Sequence, residues 1–319
     1  MSNSRIGVLV MSYGTPQSMD DVETYYTHIR RGHPPTQEQL DELRGRYEAI
    51  VGGVFPLRAN TDQQVASLQD KLEQVAPNQY VCYQGLKHAK PYIEDGVAQM
   101  AADGIKQAIS IVLAPHYSIM SVGGYNKRAQ EKAAELGITM ASVESYHLHP
   151  ELVAALAERV QDGLKRLANT AEQERGASSN VRTKVLFSAH SLPEKIREMN
   201  DPYERQLLET SAAVAEAAGV ADWQFTWQSA GRTREPWLGP DVLETLKALR
   251  EEGYEAALVA PIGFVSDHLE VLYDLDIEAK AFTRELDMAL ERIAMLNSDP
   301  RYMATLADAV VEAAGKLVQ

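Results

Sequence analysis

Two distant stretches of this chain form a weak internal repeat, of a kind that two unrelated strand-to-loop turns also produce. Val8-Leu9-Val10-Met11-Ser12-Tyr13-Gly14-Thr15-Pro16 lines up with Val185-Leu186-Phe187-Ser188-Ala189-His190-Ser191-Leu192-Pro193. Farther along each half, Ile111-Val112-Leu113-Ala114-Pro115 resembles Ala257-Leu258-Val259-Ala260-Pro261. Each is a short apolar run that ends in small, polar or proline residues, the pattern of a buried strand meeting its loop. The repeat predicts two similar domains joined near residue 147: 1–146 and 147–300, with a C-terminal helix over 301–319 packing back on the first. It also places Tyr13 and His190 at equivalent strand ends. If the two sheets face a central cleft, these side chains approach one ligand from opposite sides.

Other apolar runs fall at Tyr80–Tyr83, Ile138–Val143 and Phe225–Trp227. Amphipathic patterns near 61–75, 91–103, 125–136, 150–168, 203–218, 240–252 and 301–318 separate them. Such alternation reads as α/β with mainly parallel sheets, in two Rossmann-like domains. The polar stretch 169–183 reads as a surface loop. A formal net charge of −14 argues against nucleic acid as the main partner, because phosphate binding needs a basic face. No apolar run of about 18 residues occurs, so no transmembrane segment is expected. MSNSRIGVLV lacks the pattern of a signal peptide, and a cytoplasmic location is expected. Cys82 is the only cysteine, which excludes an internal disulfide and a cysteine-ligated iron–sulfur cluster within one chain. In Tyr-Val-Cys-Tyr, Cys82 reads as a small buried strand residue.

His190 ends an apolar strand, where ligands meet open α/β sheets and where an imidazole can bind a metal or move protons. A lone histidine is more often structural, so its weight depends on neighbours. A second segment, Ser266 to Glu278, follows the strand end Pro261-Ile262-Gly263-Phe264 and carries Glu270, Asp274 and Glu278 every four residues. On an α-helix that row drifts by roughly 40° per step, whereas a wider π-type turn keeps it aligned. A solvated acidic face is the common reading, but Leu269, Val271, Leu272 and Leu275 make the segment largely apolar. A histidine nitrogen with carboxylates suits a borderline divalent ion such as Fe2+. His268, two residues from Glu270, reads as a capping or supporting residue.

A third cluster is basic and aromatic: Tyr25-Tyr26-Thr27-His28-Ile29-Arg30-Arg31-Gly32-His33, then Arg44, Arg46 and Tyr47. In an acidic chain such arginines suggest a carboxylate or phosphate ligand, though for Arg44 and Arg46 pairing with Glu42 and Glu48 on a solvated helix is the usual case. Lys87-His88 and Tyr125-Asn126-Lys127-Arg128 carry the same two readings. No phosphate-binding G-x-x-x-x-G-K-[ST], dinucleotide fingerprint or G-x-S-x-G elbow occurs, which disfavours nucleotide enzymes and α/β-hydrolases.

Together these motifs resemble the ferrochelatase family over nearly the whole chain. The resemblance rests on Ser188 to Pro193 with Asp201-Pro202-Tyr203, on Trp227-Gln228-Ser229 with Trp237-Leu238-Gly239-Pro240, and on Gly263 to Glu270 with Tyr273-Asp274. Tyr13 to Pro16, Tyr26 to Gly32 and Arg46 to Ile50 agree with it. The cluster-free pattern with Tyr13 is most similar to the coproporphyrin III ferrochelatases of Gram-positive bacteria. This resemblance implies a two-domain chelatase fold that inserts Fe2+ into a porphyrin in haem biosynthesis. It further implies His190 and Glu270 at the iron site, with Asp274 and Glu278 extending the metal path. Tyr13, Arg30, Arg46, Tyr47 and Tyr125 would hold the porphyrin. No tightly bound cofactor is implied, Fe2+ being substrate. A monomer is expected, with transient contacts to neighbouring haem-pathway enzymes. Protoporphyrin as substrate, a cobalt or nickel chelatase, and a non-catalytic haem-binding protein are the competing readings. The chain departs from the family pattern at Asn200, where glycine is usual and where asparagine tolerates a left-handed turn. It departs again in Gly52-Gly53-Val54-Phe55-Pro56-Leu57, where Phe55 cannot donate the hydrogen bond of a serine. Val51 lengthens this loop.

Overall fold

The computed structural model describes residues 5–51, 55–175, 181–231 and 233–317. Among them the chain divides into two compact units. Unit 1 comprises Met1–Tyr146, Ser266–His268 and Asn297–Gln319, and unit 2 comprises His147–Val265 and Leu269–Leu296.

In unit 1 the strands are β1 (Ile6–Ser12), β2 (Tyr80–Leu86), β3 (Gln107–Val112) and β4 (Thr139–Ser142). They form one parallel sheet in the order β2-β1-β3-β4. The helices are α1 (Val22–Ile29), α2 (Gln37–Val51), α3 (Pro56–Val75), α4 (Ile93–Ala102) and α5 (Val122–Glu135). Unit 2 repeats this plan. Its strands β5 (Thr183–His190), β6 (Trp223–Gln228), β7 (Ala256–Ala260) and β8 (Ala289–Arg292) run parallel in the order β6-β5-β7-β8. Its helices are α6 (Pro150–Arg175), α7 (Tyr203–Ala218), α8 (Val242–Glu251), α9 (Leu269–Leu272) and α10 (Lys280–Glu285). The final helix, α11 (Pro300–Ala314), lies in unit 1.

Helices cover both faces of such sheets, so the central strands must be apolar on both sides. Val8 to Met11 in β1, Leu186 and Phe187 in β5, and Ala256 to Ala260 in β7 are accordingly 0% exposed. Helix ends follow local chemistry. The Asp241 carboxylate accepts from the Leu243 N–H ahead of α8, and Asp299 accepts from Arg301 and Tyr302 ahead of α11. Gly219 closes α7 in the left-handed region at φ 72°.

The seven expected strands form, four of them in unit 1 and three in unit 2, and unit 2 adds a fourth, β8. β8 falls outside the apolar runs because Glu291 and Arg292 are polar, and it lies at the sheet edge. The surface loop expected over 169–183 is corrected at its two ends, where α6 continues to Arg175 and β5 begins at Thr183, while residues 176–180 lie outside the described residues. Ala171 is buried, and the Thr170 hydroxyl donates to Glu291 of β8 at 3.1 Å, so the sheet holds this polar turn in place. Asn200 does adopt the left-handed region, at φ 51°. Phe55 packs against Tyr47 with ring centroids 4.7 Å apart, while Gly52 to Val54 lie outside the described residues. Cys82 is half-buried in β2, and burial pushes its thiol up to about 12. No described helix is long and apolar enough to cross a membrane.

Candidate active site

Strand order reverses between β5 and β7, because β5 is followed by β6 on one side and β7 lies on the other. Open α/β sheets bind ligands outside the carboxyl ends of strands at such a point. His190 is the last residue of β5, and Glu270 lies in α9, the first helix after β7. Their side chains meet there: His190 Nε2 is 3.6 Å from Glu270 Oε1, with 34% and 31% of the side chains exposed. That is too long for a hydrogen bond. It is short enough for one ion to touch both, since bonds from imidazole and carboxylate to such ions run to about 2.1 Å each.

The imidazole is oriented from behind. Its Nδ1 is hydrogen-bonded to the Ser191 carbonyl, which can only accept, so Nδ1 carries a proton and Nε2 is the nitrogen that faces Glu270. The Tyr203 hydroxyl donates to the His190 carbonyl at 3.2 Å. Burial, then the negative charges of Glu270 and Asp201, push this phenol well above its ordinary value and keep it a donor. The Trp237 ring lies 6.4 Å from the imidazole, centroid to centroid. Close packing sets the strand end: a Cβ on Gly263 would sit 2.4 Å from Ala189 Cβ, so only glycine fits.

Residues Asp274–Ala279 form a π-helix, continuous with α10. Asp274 is buried at 6% exposure, with its Oδ2 accepting from the Ser229 hydroxyl at 2.5 Å, whereas Glu278 is exposed. The Arg292 guanidinium clamps Asp276 in a two-pronged ion pair at 2.8 and 2.9 Å. Among the described residues no group of three or more His, Cys, Asp or Glu side chains is poised around one ion. The acidic row is therefore split between an open carboxylate at Glu270, a buried one at Asp274 and a solvated one at Glu278. His268 belongs to unit 1, where its Nδ1 bonds the Ser266 carbonyl at 2.9 Å.

Unit 1 holds a pocket of about 740 Å3 lined by Tyr13, Thr24, Thr27, His28, Ile29, Arg31, Gly32, Lys87, His88 and Tyr92. Tyr13 follows β1 and is 41% exposed. Its ring packs on His88 at 4.6 Å, the His28 and His88 Nδ1 atoms are 2.9 Å apart, and His28 stacks on Tyr92 at 5.1 Å. Lys87 Nζ lies over the Tyr125 ring at 4.8 Å and 5.9 Å from the Tyr13 ring centroid. Burial, then the Arg128 and Arg31 charges, lower the Lys87 ammonium from its usual value. Burial also dominates at His88, where Lys87, His28 and Arg128 add to it and bring the imidazole down to about 3. Arg128 is itself fixed by Glu94, at 2.7 and 2.8 Å.

Of the expected porphyrin contacts, Tyr13 alone lines this pocket. Arg30 bonds the His33 carbonyl and packs over Tyr26, and Arg46 lies on α2 next to Tyr47. Tyr47 is buried with its hydroxyl 3.3 Å from Thr15 Oγ1, and Tyr125 is buried under Lys87. Thr24 and Tyr92 are not legible in the sequence as pocket residues, because no motif spacing links them to Tyr13.

Compared with known families and proteins, the chain matches the profile described as Ferrochelatase over residues 5–314. It is 49% identical over 314 residues to a coproporphyrin III ferrochelatase of Anoxybacillus flavithermus, covering 98% of this chain and 97% of that protein. Identity to the protein of the same description from Bacillus subtilis is 46% over 319 residues, covering 99% and 100%. For that of Oceanobacillus iheyensis it is 47% over 317 residues, covering 98% of each. Among solved structures, the sirohydrochlorin chelatase SirB from Bacillus subtilis subspecies spizizenii, in complex with cobalt, matches with TM-score 0.59 and 12% identity, over 98% of this chain and 96% of that one. SirB from Bacillus subtilis with Fe3+ gives TM-score 0.60 at 12% identity, over 99% and 98%. At that identity the likeness establishes the chelatase fold and leaves the chemistry to the sequence relatives and the site.

Proposed function

The chain belongs to the ferrochelatase family, and from that premise we propose that it is a lyase inserting Fe2+ into coproporphyrin III in haem biosynthesis. The observation that carries this reading is the pair of base donors, His190 Nε2 and Glu270 Oε1, open to solvent and 3.6 Å apart at the reversal of strand order. Metallation requires the ion to shed water and the macrocycle to lose two pyrrole protons. Two protein donors, rather than a closed set of four, suit an ion that must leave again. With its proton held on Nδ1, His190 offers Nε2 as a ligand to the arriving ion or as acceptor for a pyrrole proton. Glu270 supplies the negative charge that offsets the ion while water is lost. Asp274 and Glu278 continue the acidic side of this path.

In unit 1 the exposed Tyr13 ring gives the macrocycle a stacking face, and Arg31 and Lys87 offer cations to its carboxylates. A substrate with four carboxylates gains more from such a pocket than one with two, which supports coproporphyrin over protoporphyrin. Tyr125 acts behind Lys87, holding its ammonium by a cation–π contact. No resident cofactor enters this chemistry, and Cys82, the sole cysteine, is held as a thiol. A single cysteine also agrees with work in the reducing cytoplasm.

An anaerobic assay with Fe2+, comparing coproporphyrin III and protoporphyrin IX, tests the reading. Insertion into coproporphyrin III with the higher kcat/KM is expected. Binding of haem without conversion of either free porphyrin would overturn it. His190→Ala is expected to lower insertion by about 100-fold or more, on the scale of what removing a proton acceptor costs, while porphyrin still quenches fluorescence on binding. Wild-type turnover by that variant would remove His190 from the mechanism.

A further inference from the structure

The spacing of His190 and Glu270 is set by neither residue alone. β5 and β6 pair in parallel with His190 opposite Gln228 and Ser188 opposite Thr226. Side chains alternate across a strand and stay in step across a parallel pair, so Ser188, His190 and Gln228 all project from one face of the sheet. Ser188 and Gln228 are both 0% exposed. The Ser188 hydroxyl donates to Gln228 Oε1 at 2.8 Å, and Gln228 Nε2 donates to the Glu270 main-chain carbonyl at 3.0 Å. One buried amide therefore bridges the strand that ends in His190 and the helical turn that carries Glu270. The next residue repeats the contact one turn along: Ser229, at φ 59°, donates to Asp274. A left-handed backbone is costly for a serine and persists only where its surroundings demand it.

We propose that Gln228 is a positioning residue for metal insertion: its buried amide holds the turn bearing Glu270 against the end of β5 and so sets the gap into which the ion enters. Gln228 touches neither substrate nor ion, and it acts through Glu270. An amide suits this place because both of its ends are used, one accepting from a hydroxyl and one donating to a carbonyl. A leucine of similar volume fills the space but leaves the Glu270 carbonyl and the Ser188 hydroxyl without these partners, so the turn is free to shift. The inference rests on the ferrochelatase reading for its kinetic test and on metal binding alone for its second test.

The full-length protein is compared with Gln228→Leu, Ser188→Ala, Glu270→Gln and the Gln228→Leu/Glu270→Gln double variant. Gln228→Leu is expected to raise the Fe2+ KM by about 10-fold or more, as loss of a partner behind a metal ligand does, with the coproporphyrin KM unmoved. Ser188→Ala, which keeps the Gln228 side chain, moves the Fe2+ KM in the same direction and serves if Gln228→Leu does not fold. On the Glu270→Gln background the Gln228 substitution is expected to add less than about twofold, because both act on one interaction. An unchanged Fe2+ KM in folded variants, an equal rise in both KM values, or full additivity with Glu270→Gln would overturn the proposal. Titration with Co2+, followed by its visible absorption, reads the same gap without turnover. If the wild type fails to metallate porphyrin but Gln228→Leu still weakens Co2+ binding, the positioning role stands and the ferrochelatase reading falls. Equal Co2+ affinity in both would end the positioning role.

Discussion

His28 and His88 meet through like atoms, Nδ1 to Nδ1, so only one ring supplies the proton between them. His88 is kept neutral because its ring is buried and because Lys87 and Arg128 stand near it. The consequence for stability has a definite sign. The unfolded chain takes up a proton at this residue near the ordinary histidine value of 6.5, while the folded chain resists until about 3. Between those values the unfolded state binds more protons, so this contribution is complete above 6.5 and is lost as pH falls toward 3. The slope it adds is at most about 1.4 kcal/mol per pH unit. Urea midpoints measured from about pH 7 down to about pH 4, which spans most of this window, should therefore fall more steeply for the wild type than for His88→Asn. Parallel curves would show that His88 titrates as an ordinary histidine. The same ring packs on Tyr13 and lines the pocket with it, so the substitution is also expected to weaken porphyrin binding near neutral pH.

Glycine separates the elements that carry the site from those that merely frame it. A Cβ at Gly263 would meet Ala189 Cβ at 2.4 Å and Ala189 Cα at 2.8 Å, the second being main chain that cannot swing aside. Gly263→Ala must push the strand ending in His190 or the loop after β7, so it is expected to cost about 1–3 kcal/mol and to lower iron insertion. Gly124, in α5, has an ordinary helical backbone, and a Cβ added there would meet nothing within 4 Å. Gly124→Ala is expected to stabilise by about 0.4–1 kcal/mol, and thermal melts of the two variants should shift in opposite directions. Elements differ in the same way in how far local sequence discloses them. Strands buried on both faces are legible as apolar runs, and the repeat of Val8 to Pro16 at Val185 to Pro193 predicts matching sheets. β8 is not legible, since Glu291 and Arg292 take their places through Thr170, 121 residues from Glu291, and Asp276, 16 residues from Arg292, partners that no local strand pattern includes. α1 escapes because its eight residues bury only Val22 and Tyr25, and α2 shows only as a solvated helix because its charged residues hide the apolar positions Leu40 and Tyr47. At the site, His190 and Glu270 stand out because one ends a strand and the other lies in the segment that follows one. The bridge through Gln228 does not, because it depends on the register of β5 against β6, which no local pattern encodes.

Neither half of the chain is complete in sequence order. α11 comes last, yet it packs against α3, β3 and β4 of unit 1. Tyr302 within it is 0% exposed, and its hydroxyl lies 3.0 Å from that of Tyr146, which donates in turn to the Val112 carbonyl at 2.9 Å. Burial dominates at both phenols and drives their ionisation far above ordinary values, so both remain neutral donors at any working pH. Unit 1 thus finishes folding only when the last residues of the chain are available. Tyr302→Ala opens a cavity in this core and is expected to cost about 3–5 kcal/mol. Tyr302→Phe keeps the ring and loses one hydrogen bond, for about 1 kcal/mol. The two units can be followed separately, because Trp223, Trp227 and Trp237 are the chain's three tryptophans and all belong to unit 2. In urea, far-ultraviolet circular dichroism reports helices of both units, while tryptophan emission reports unit 2. Tyr302→Ala is expected to bring the dichroism transition to lower urea than the emission transition. Two traces that move together would mean that the damage is shared by both units, and that α11 serves the whole chain and not unit 1 alone.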